Sequence, residues 1–374
     1  MKTFSDILNQ YEWENIRERI QLKTTTDVIN ALSSQNRSIE DFMALVSPAA
    51  SFFIEEMAQQ SHAATVKRFG KTIQMFIPMY LSNECQNICT YCGFSLGNKI
   101  PRKTLSEKEI EKEIELIKEL GFDHILVLTG EDRIHSDFNY ILNSIKKIKP
   151  HFSNLSIEVQ PFEQDEYEKL IEAGCDAVLV YQETYNRNVY KQYHTKGKKS
   201  NFDYRLQTPD RLGKAGIHKI GIGALLGLED WRTEVFFLAL HLRYLQKNYW
   251  KTQYSISLPR IRPAEGVDDT QYLMNDKEFV QLICALRLFD GEIELTLSTR
   301  EAEGFREKLI PLGITNLSAG AKTNPGGYDK PDESLEQFEI SDERSPEEMK
   351  KVISALGYET VWKNWDKGLA FHKS

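Results

Sequence analysis

The sequence predicts an α/β fold: a closed (β/α)8 TIM-type barrel with an N-terminal helical extension and a C-terminal extension. Three observations predict it. Eight short, nearly continuous apolar runs fall between residues 72 and 318, as strands buried on both faces require. Stretches with helical apolar spacing separate them, the alternation of a parallel sheet covered by helices. The chain has 374 residues, enough for one barrel and extensions at both ends. The expected divisions are 1–71 for the helical extension, 72–318 for the barrel and 319–374 for the C-terminal extension.

Residues 1–71 read as helical and polar on one face, with Trp13, Ile16 and Ile20 recurring at helical spacing. A second helix over 39–46 stops at Ser47-Pro48, and a longer one over 51–68 leads into the barrel. The first strand is expected at 73–81. After it, Ser106 and Glu109 form a capping box, Ile110, Ile114, Ile117 and Leu120 make one stripe, and Gly121 stops the helix. Further strands are expected at 124–129, 155–159, 177–181, 219–224, 254–258, 293–297 and 316–318. The intervening helices read as 138–148, 163–173, 208–215, 233–246, 277–289 and 301–309. A Gly/Pro-rich loop, Asn324 to Tyr328, then an acidic stretch and a helix from Ser345 complete the chain.

With 41% hydrophobic and 27% charged residues, the chain has material for a sizeable core. A net charge of −8 argues against nucleic acid as the main partner, because phosphate binding needs a basic face. The cluster Lys196-Gly-Lys-Lys199 reads as a solvated loop, with contact to an anionic ligand as the alternative. No stretch approaches the ~18 apolar residues of a membrane span, and the N-terminus has no apolar signal core. No membrane partner is expected, and the location expected is the cytoplasm.

Three of the five cysteines, Cys85, Cys89 and Cys92, form C-x3-C-x2-C directly after the first expected strand. A disulfide framework leaves one of these thiols over. Structural zinc takes four ligands in two separated pairs, and no spacing recommends His124 or His135 as a fourth. Three thiolates on one short loop suit a [4Fe–4S] cluster with one iron free of protein ligands. A non-catalytic iron–sulfur or zinc protein is the competing class, although electron carriers generally supply a full ligand set. Cys175 and Cys284, alone in apolar surroundings, read as core residues.

C-x3-C-x2-C with an aromatic residue, Tyr91, before the third cysteine resembles the radical S-adenosylmethionine (SAM) superfamily. The resemblance implies that the open iron chelates the amino and carboxylate groups of SAM. One electron then cleaves the sulfonium to methionine and a 5′-deoxyadenosyl radical. It also implies SAM-binding roles at the strand ends. Gly130 and Glu131 resemble the element that meets the SAM amino group. Glu158 and Gln160 end strand three, and Arg205 resembles the arginine that pairs with the SAM carboxylate. Gly223 stands in a strand-five glycine motif beside adenine. Alternative readings are a helix N-cap for Glu131, a surface ion pair for Arg205 and a close-packed strand end for the glycines.

Several further segments resemble the 2-iminoacetate synthase family of thiamine thiazole biosynthesis. They include Leu45 to Ala50, Tyr91 to Ser95, Val180 to Tyr185, Pro259 to Pro263, Ser298 to Glu301 and Asn324 to Tyr328. This resemblance implies L-tyrosine as substrate, cleaved at Cα–Cβ to 2-iminoacetate and p-cresol. It implies a thiazole synthase partner and a reductant such as flavodoxin. A zwitterion entering a dry barrel needs a paired cation for its carboxylate. Arg300 is the first candidate, with Ser318 as supporting donor. Arg260 and Arg262 are candidates for the same carboxylate, the phenol or SAM, and Glu301 and Glu183 for balancing charge or accepting the amino proton. A rim ion pair is the alternative for Arg300 and Glu301. Related families sharing the core motif are tryptophan lyases and deazaflavin-cofactor synthases. The tyrosine lyase of hydrogenase maturation needs a second, C-terminal cysteine cluster, and this sequence has no cysteine after Cys284.

Overall fold

A computed structural model describes residues 2–261, 272–330 and 336–362. Eight parallel strands close into a barrel: β1 (Thr72–Ser82), β2 (His124–Thr129), β3 (Asn154–Glu158), β4 (Ala177–Leu179), β5 (Lys219–Gly223), β6 (Gln253–Ser257), β7 (Glu294–Leu297) and β8 (Asn316–Ser318). Each strand pairs with the next in sequence, and β8 returns to β1 with Gln74 opposite Asn316 and Phe76 opposite Ser318. All eight strands fall where apolar runs are read in the sequence.

Local chemistry sets the helix starts. Ser106 and Glu109 make the expected capping box at Glu107–Glu119, and Asn275 with Glu278 makes another at Asp276–Phe289. The helices Trp231–Asn248 and Asp276–Phe289 are buried nearly all round, because both the barrel and the N-terminal helices cover them. Trp13 stacks on Phe237 at 5.1 Å, Phe4 on His241 at 3.9 Å, and Phe42 packs against Phe289.

Two features have no clear signature in the sequence. The polar insert after β4 holds a helix, Arg187–Tyr193, and a short strand, His194–Lys196, which pairs antiparallel with Ile88–Cys89 of the cysteine loop. Near the C-terminus a ninth strand, β9 (Glu359–Val361), runs parallel to the start of β1, at Thr72–Gln74. Three residues of moderate apolarity carry too weak a pattern to be read as a strand.

A buried ion cluster holds the C-terminal segment to the barrel. Arg306, on the helix Glu303–Leu309, pairs with Asp342 and donates to the Ser318 carbonyl at 2.5 Å. Arg344 meets the same carboxylate at 2.8 Å. Burial pushes the Asp342 carboxyl up, but the two guanidinium groups outweigh it and hold it below the usual carboxylate range.

Asp342→Ala leaves the Arg306 guanidinium buried without its counter-charge and is expected to cost about 3–5 kcal/mol in denaturant unfolding. Arg344→Ala, with a partly exposed side chain, is expected to cost about 1 kcal/mol. Because the folded carboxyl titrates below its unfolded value, this stabilisation is present above about pH 4 and is lost as pH falls further.

Candidate active site

A cavity of about 190 Å3 opens at the C-terminal ends of the strands, where barrel enzymes carry their chemistry. Cys85, Cys89 and Cys92 line it together with Glu131, Glu158, Glu183, Arg205, Arg300 and Ser318. A larger opening of about 740 Å3 lies at the opposite end, around the starts of β1, β6, β7 and β8, and holds none of these groups.

The cysteine loop is shaped by backbone contacts. Arg102 reaches under it and donates to the carbonyls of Asn83 (2.7 Å), Phe94 (2.9 Å) and Ser95 (2.7 Å). One cation thus satisfies the Asn83 and Phe94 carbonyls, which receive no backbone amide among the described residues, and adds a second donor to the Ser95 carbonyl, which already accepts the Asn98 amide. On the other side, the Gly130 amide donates to the Ser82 carbonyl at 2.8 Å. A Cβ on Gly130 would stand 2.1 Å from the Glu84 carbonyl oxygen, so only glycine permits this approach. Asn87 then ties the loop outward, donating to Glu131 at 2.9 Å and accepting from the Lys199 amide at 3.0 Å.

The three thiols face one cavity, where the Cys92 charge adds to the upward push on both Cys85 and Cys89. Burial, with Glu131 and Cys92 adding to it, pushes Cys85 up to about 11, and burial pushes Cys89 further. Among the described residues no disulfide forms, and no three His, Cys, Asp or Glu side chains converge on a single ion position. Thiols that share a cavity without meeting at a point fit a cubane, whose cysteines hold separate irons.

Beside the thiols lies a network of buried charge. Arg205 donates to Glu131 at 2.8 Å and to the Tyr181 carbonyl at 2.6 Å, and stands 3.7 Å from Glu183. Lys199 binds Glu183 at 2.7 Å. Glu183 holds φ = 69°, an uncommon backbone for a non-glycine residue, and this strain aims its carboxylate at the two cations. Burial pushes Glu183 up, but Lys199 and Arg205 outweigh it and hold it ionised. Among the described residues Glu158 has no ion-pair partner. Burial first, then the Glu183 charge, push it up to about 7.

Two buried oxygens at this end, Thr129 Oγ1 and Gln160 Oε1, have no hydrogen-bond partner among the described residues. Orphaned acceptors beside a cluster-competent loop suit a polar ligand such as SAM. Gln160 uses its Nε2 on the Asp132 and Ser136 carbonyls and borders a side cavity shared with Asn87, Glu131, Lys199 and Arg205. Tyr91 lines the main cavity and donates its hydroxyl to His194 Nε2 at 2.6 Å. Burial drives His194 down to about 3, so the ring is neutral, with Nδ1 donating to the Tyr190 carbonyl.

Arg300 and Ser318 line the same cavity. Arg300 lies 3.4 Å from the Phe338 ring centroid and has Tyr80 and Glu158 as electrostatic neighbours. Arg260 and Glu301 go elsewhere. They pair with each other, Nε to Oε1 at 3.0 Å, and Arg260 also binds Asp276 and packs on Phe279 and Phe305. Neither borders the cavity, which corrects the expectation of substrate contact: each satisfies the other at the rim. Arg262 lies outside the described residues. Gly223 is a close-packed strand end, since a Cβ there would meet the Ser257 carbonyl at 2.1 Å.

Arg205 is buried rather than a surface pair, and Lys199 is half-buried, its ammonium turned inward onto Glu183 rather than left to solvent. The basic run containing Lys199 gives no sign of which lysine turns inward. Arg102, Asn87 and Gln337 leave no signature in the sequence, because their partners are backbone groups or lie far along the chain.

The Radical SAM superfamily matches residues 79–239, and the Biotin and Thiamin Synthesis associated domain matches residues 257–359. The 2-iminoacetate synthase of Salmonella typhimurium is 50% identical over 370 residues, covering 99% of this chain and 98% of that protein. The 2-iminoacetate synthase of Escherichia coli is 48% identical over the same shares of both. Among solved structures, HydG, a maturase of the [FeFe]-hydrogenase, matches with TM-score 0.89 and 31% identity, over 93% of this chain and 80% of that one.

Gly130→Ala is expected to displace the cysteine loop and lower bound iron after anaerobic reconstitution several-fold. Gly97→Ala, where a Cβ meets nothing within 4 Å, is expected to retain it. Iron and sulfide analysis of both variants measures this.

Proposed function

Because the chain belongs to the 2-iminoacetate synthase family of radical SAM enzymes, we propose that it cleaves L-tyrosine at Cα–Cβ to 2-iminoacetate and p-cresol, using SAM. The observation that carries this reading is the three-cysteine loop facing a barrel-end cavity that Arg300 also lines. When bound, the [4Fe–4S] cluster supplies the electron that splits SAM into methionine and a 5′-deoxyadenosyl radical.

Cys85, Cys89 and Cys92 would hold the cluster. Arg205, Glu131 and Glu183 form the charged wall beside it, suited to the carboxylate and amino ends of a methionyl group. Arg205 needs no reorganisation to present its charge, because Glu131 and the Tyr181 carbonyl already fix it. Glu158 and the two orphaned oxygens offer acceptors for a ribose or an ammonium group. On the substrate side Arg300 is the cation for the tyrosine carboxylate, and Ser318 the supporting donor. The guanidinium is buried and has no carboxylate partner within ion-pair distance among the described residues, so its charge is available to an incoming anion. Enclosure by Tyr80, Phe94, Leu126 and Leu128 keeps water from a radical.

2-Iminoacetate hydrolyses readily in water, which supports direct transfer to a thiazole synthase partner. A low-potential reductant such as flavodoxin supplies the electron. No helix among the described residues is long and apolar enough to cross a membrane. The oxygen-sensitive cluster and the unlinked thiols support a reducing, cytoplasmic setting.

Anaerobic reconstitution followed by SAM, reductant and tyrosine tests the reading. 5′-Deoxyadenosine and p-cresol are the expected products, and metal binding without SAM cleavage would refute it. Arg300→Ala is expected to remove about 2–5 kcal/mol of tyrosine binding, raising KM at least ~30-fold while SAM affinity holds. SAM binding is expected to tighten as pH rises from 6 to 8, because Glu158 titrates at about 7 and its ionised form favours the cation. Titration calorimetry on Glu158→Gln should show that this pH dependence is lost.

A further inference from the structure

The C-terminal segment returns to the cavity far from the cysteine loop in sequence, yet it touches that loop directly. The Gly93 amide donates to the Gln337 carbonyl at 3.1 Å, and the Gln337 amide donates to the Thr323 carbonyl at 3.1 Å. A Cβ on Gly93 would stand 2.7 Å from the Gln337 carbonyl oxygen, so the residue after Cys92 has to be small for this docking. The Gln337 side chain is held at both ends. Its Oε1 accepts the Tyr80 hydroxyl at 2.8 Å, and its Nε2 lies 3.7 Å from Cys92 Sγ.

The orientation of this amide is decided by its neighbours. A phenol carries its proton at neutral pH, so Tyr80 presents a donor and the amide oxygen must face it. The NH2 end is then left facing sulfur. Tyr80 is itself fixed, since it is 4% exposed on β1 with its ring edge-on to Phe94 at 5.9 Å.

We propose that Gln337 is a positioning residue for the cluster, whose side-chain amide donates to the Cys92 sulfur and raises the reduction potential. The inference rests on the cluster reading of Cys85, Cys89 and Cys92. Adding one electron to a cluster places more negative charge on its sulfurs, so an N–H donor stabilises the reduced state more than the oxidised one. Tyr80 acts one step further out, by preventing the amide from turning its oxygen toward the thiolate.

The test is a reductive titration of the full chain, reconstituted anaerobically and followed by EPR of the reduced cluster. Gln337→Leu removes the donor and is expected to shift the midpoint to more negative potential with iron and sulfide content unchanged. Tyr80→Phe frees the amide to rotate and is expected to shift it in the same direction by less. Wild-type midpoints in both variants, at full iron content, would overturn the proposal. Should Gln337→Leu lose iron, Tyr80→Phe decides alone: a negative shift supports the proposal, and an unchanged midpoint overturns it. Failure of the unaltered chain to take up iron is a separate result, and refutes the cluster reading instead.

Discussion

The pairing of Arg205 with Glu131 is the contact on which the active end of this barrel depends. Glu131 stands at the end of β2, where its backbone carbonyl also receives the Gln86 amide of the cysteine loop. Arg205 stands in the helix Phe202–Leu206, in the insert that follows β4. One ion pair therefore joins the loop that carries the thiols to the segment that carries Lys199 and His194. Burying such charges is seldom a net gain in stability, because desolvation offsets the attraction. Here the return is placement. Two cations and two carboxylates are fixed around the cavity before any ligand arrives.

Around that pair the fold sorts its polar groups by task. Arg102 and Gly130 shape the cysteine loop through the backbone, one by satisfying carbonyls and the other by leaving space. Arg306, Asp342 and Arg344 perform a different service at the rim, holding the chain after β8 to the barrel. That attachment brings Gln337 and Phe338 over the cavity, one against Cys92 and the other against Arg300. The cluster side and the substrate side thus share a cover that comes from a single stretch of chain.

Much of this was legible in the sequence, for physical reasons. Strands buried on both faces are rich in apolar residues, so runs such as Ile125 to Leu128 announce themselves, and capping chemistry marks helix starts such as Ser106 and Asn275. The cysteine spacing is local, so the cluster site could be read directly. Arg260 and Glu301 show the limit. Both stand next to strand ends, yet strand position does not say whether a side chain turns inward or along the rim, and these two turn to each other. Lys199 shows the reverse, a residue in a basic, loop-like run whose ammonium turns inward onto Glu183, 16 positions away. Contacts made across the fold, such as Gln337 to Cys92, have no local signature at all.

The central claim is that three thiols leave one iron open to the methionyl end of SAM. Pulsed EPR on the reduced, reconstituted protein with SAM carrying a 15N-labelled amino group tests it most directly. A hyperfine coupling between that nitrogen and the cluster is the predicted result. A cluster whose signal is indifferent to SAM, with no such coupling, would contradict the account.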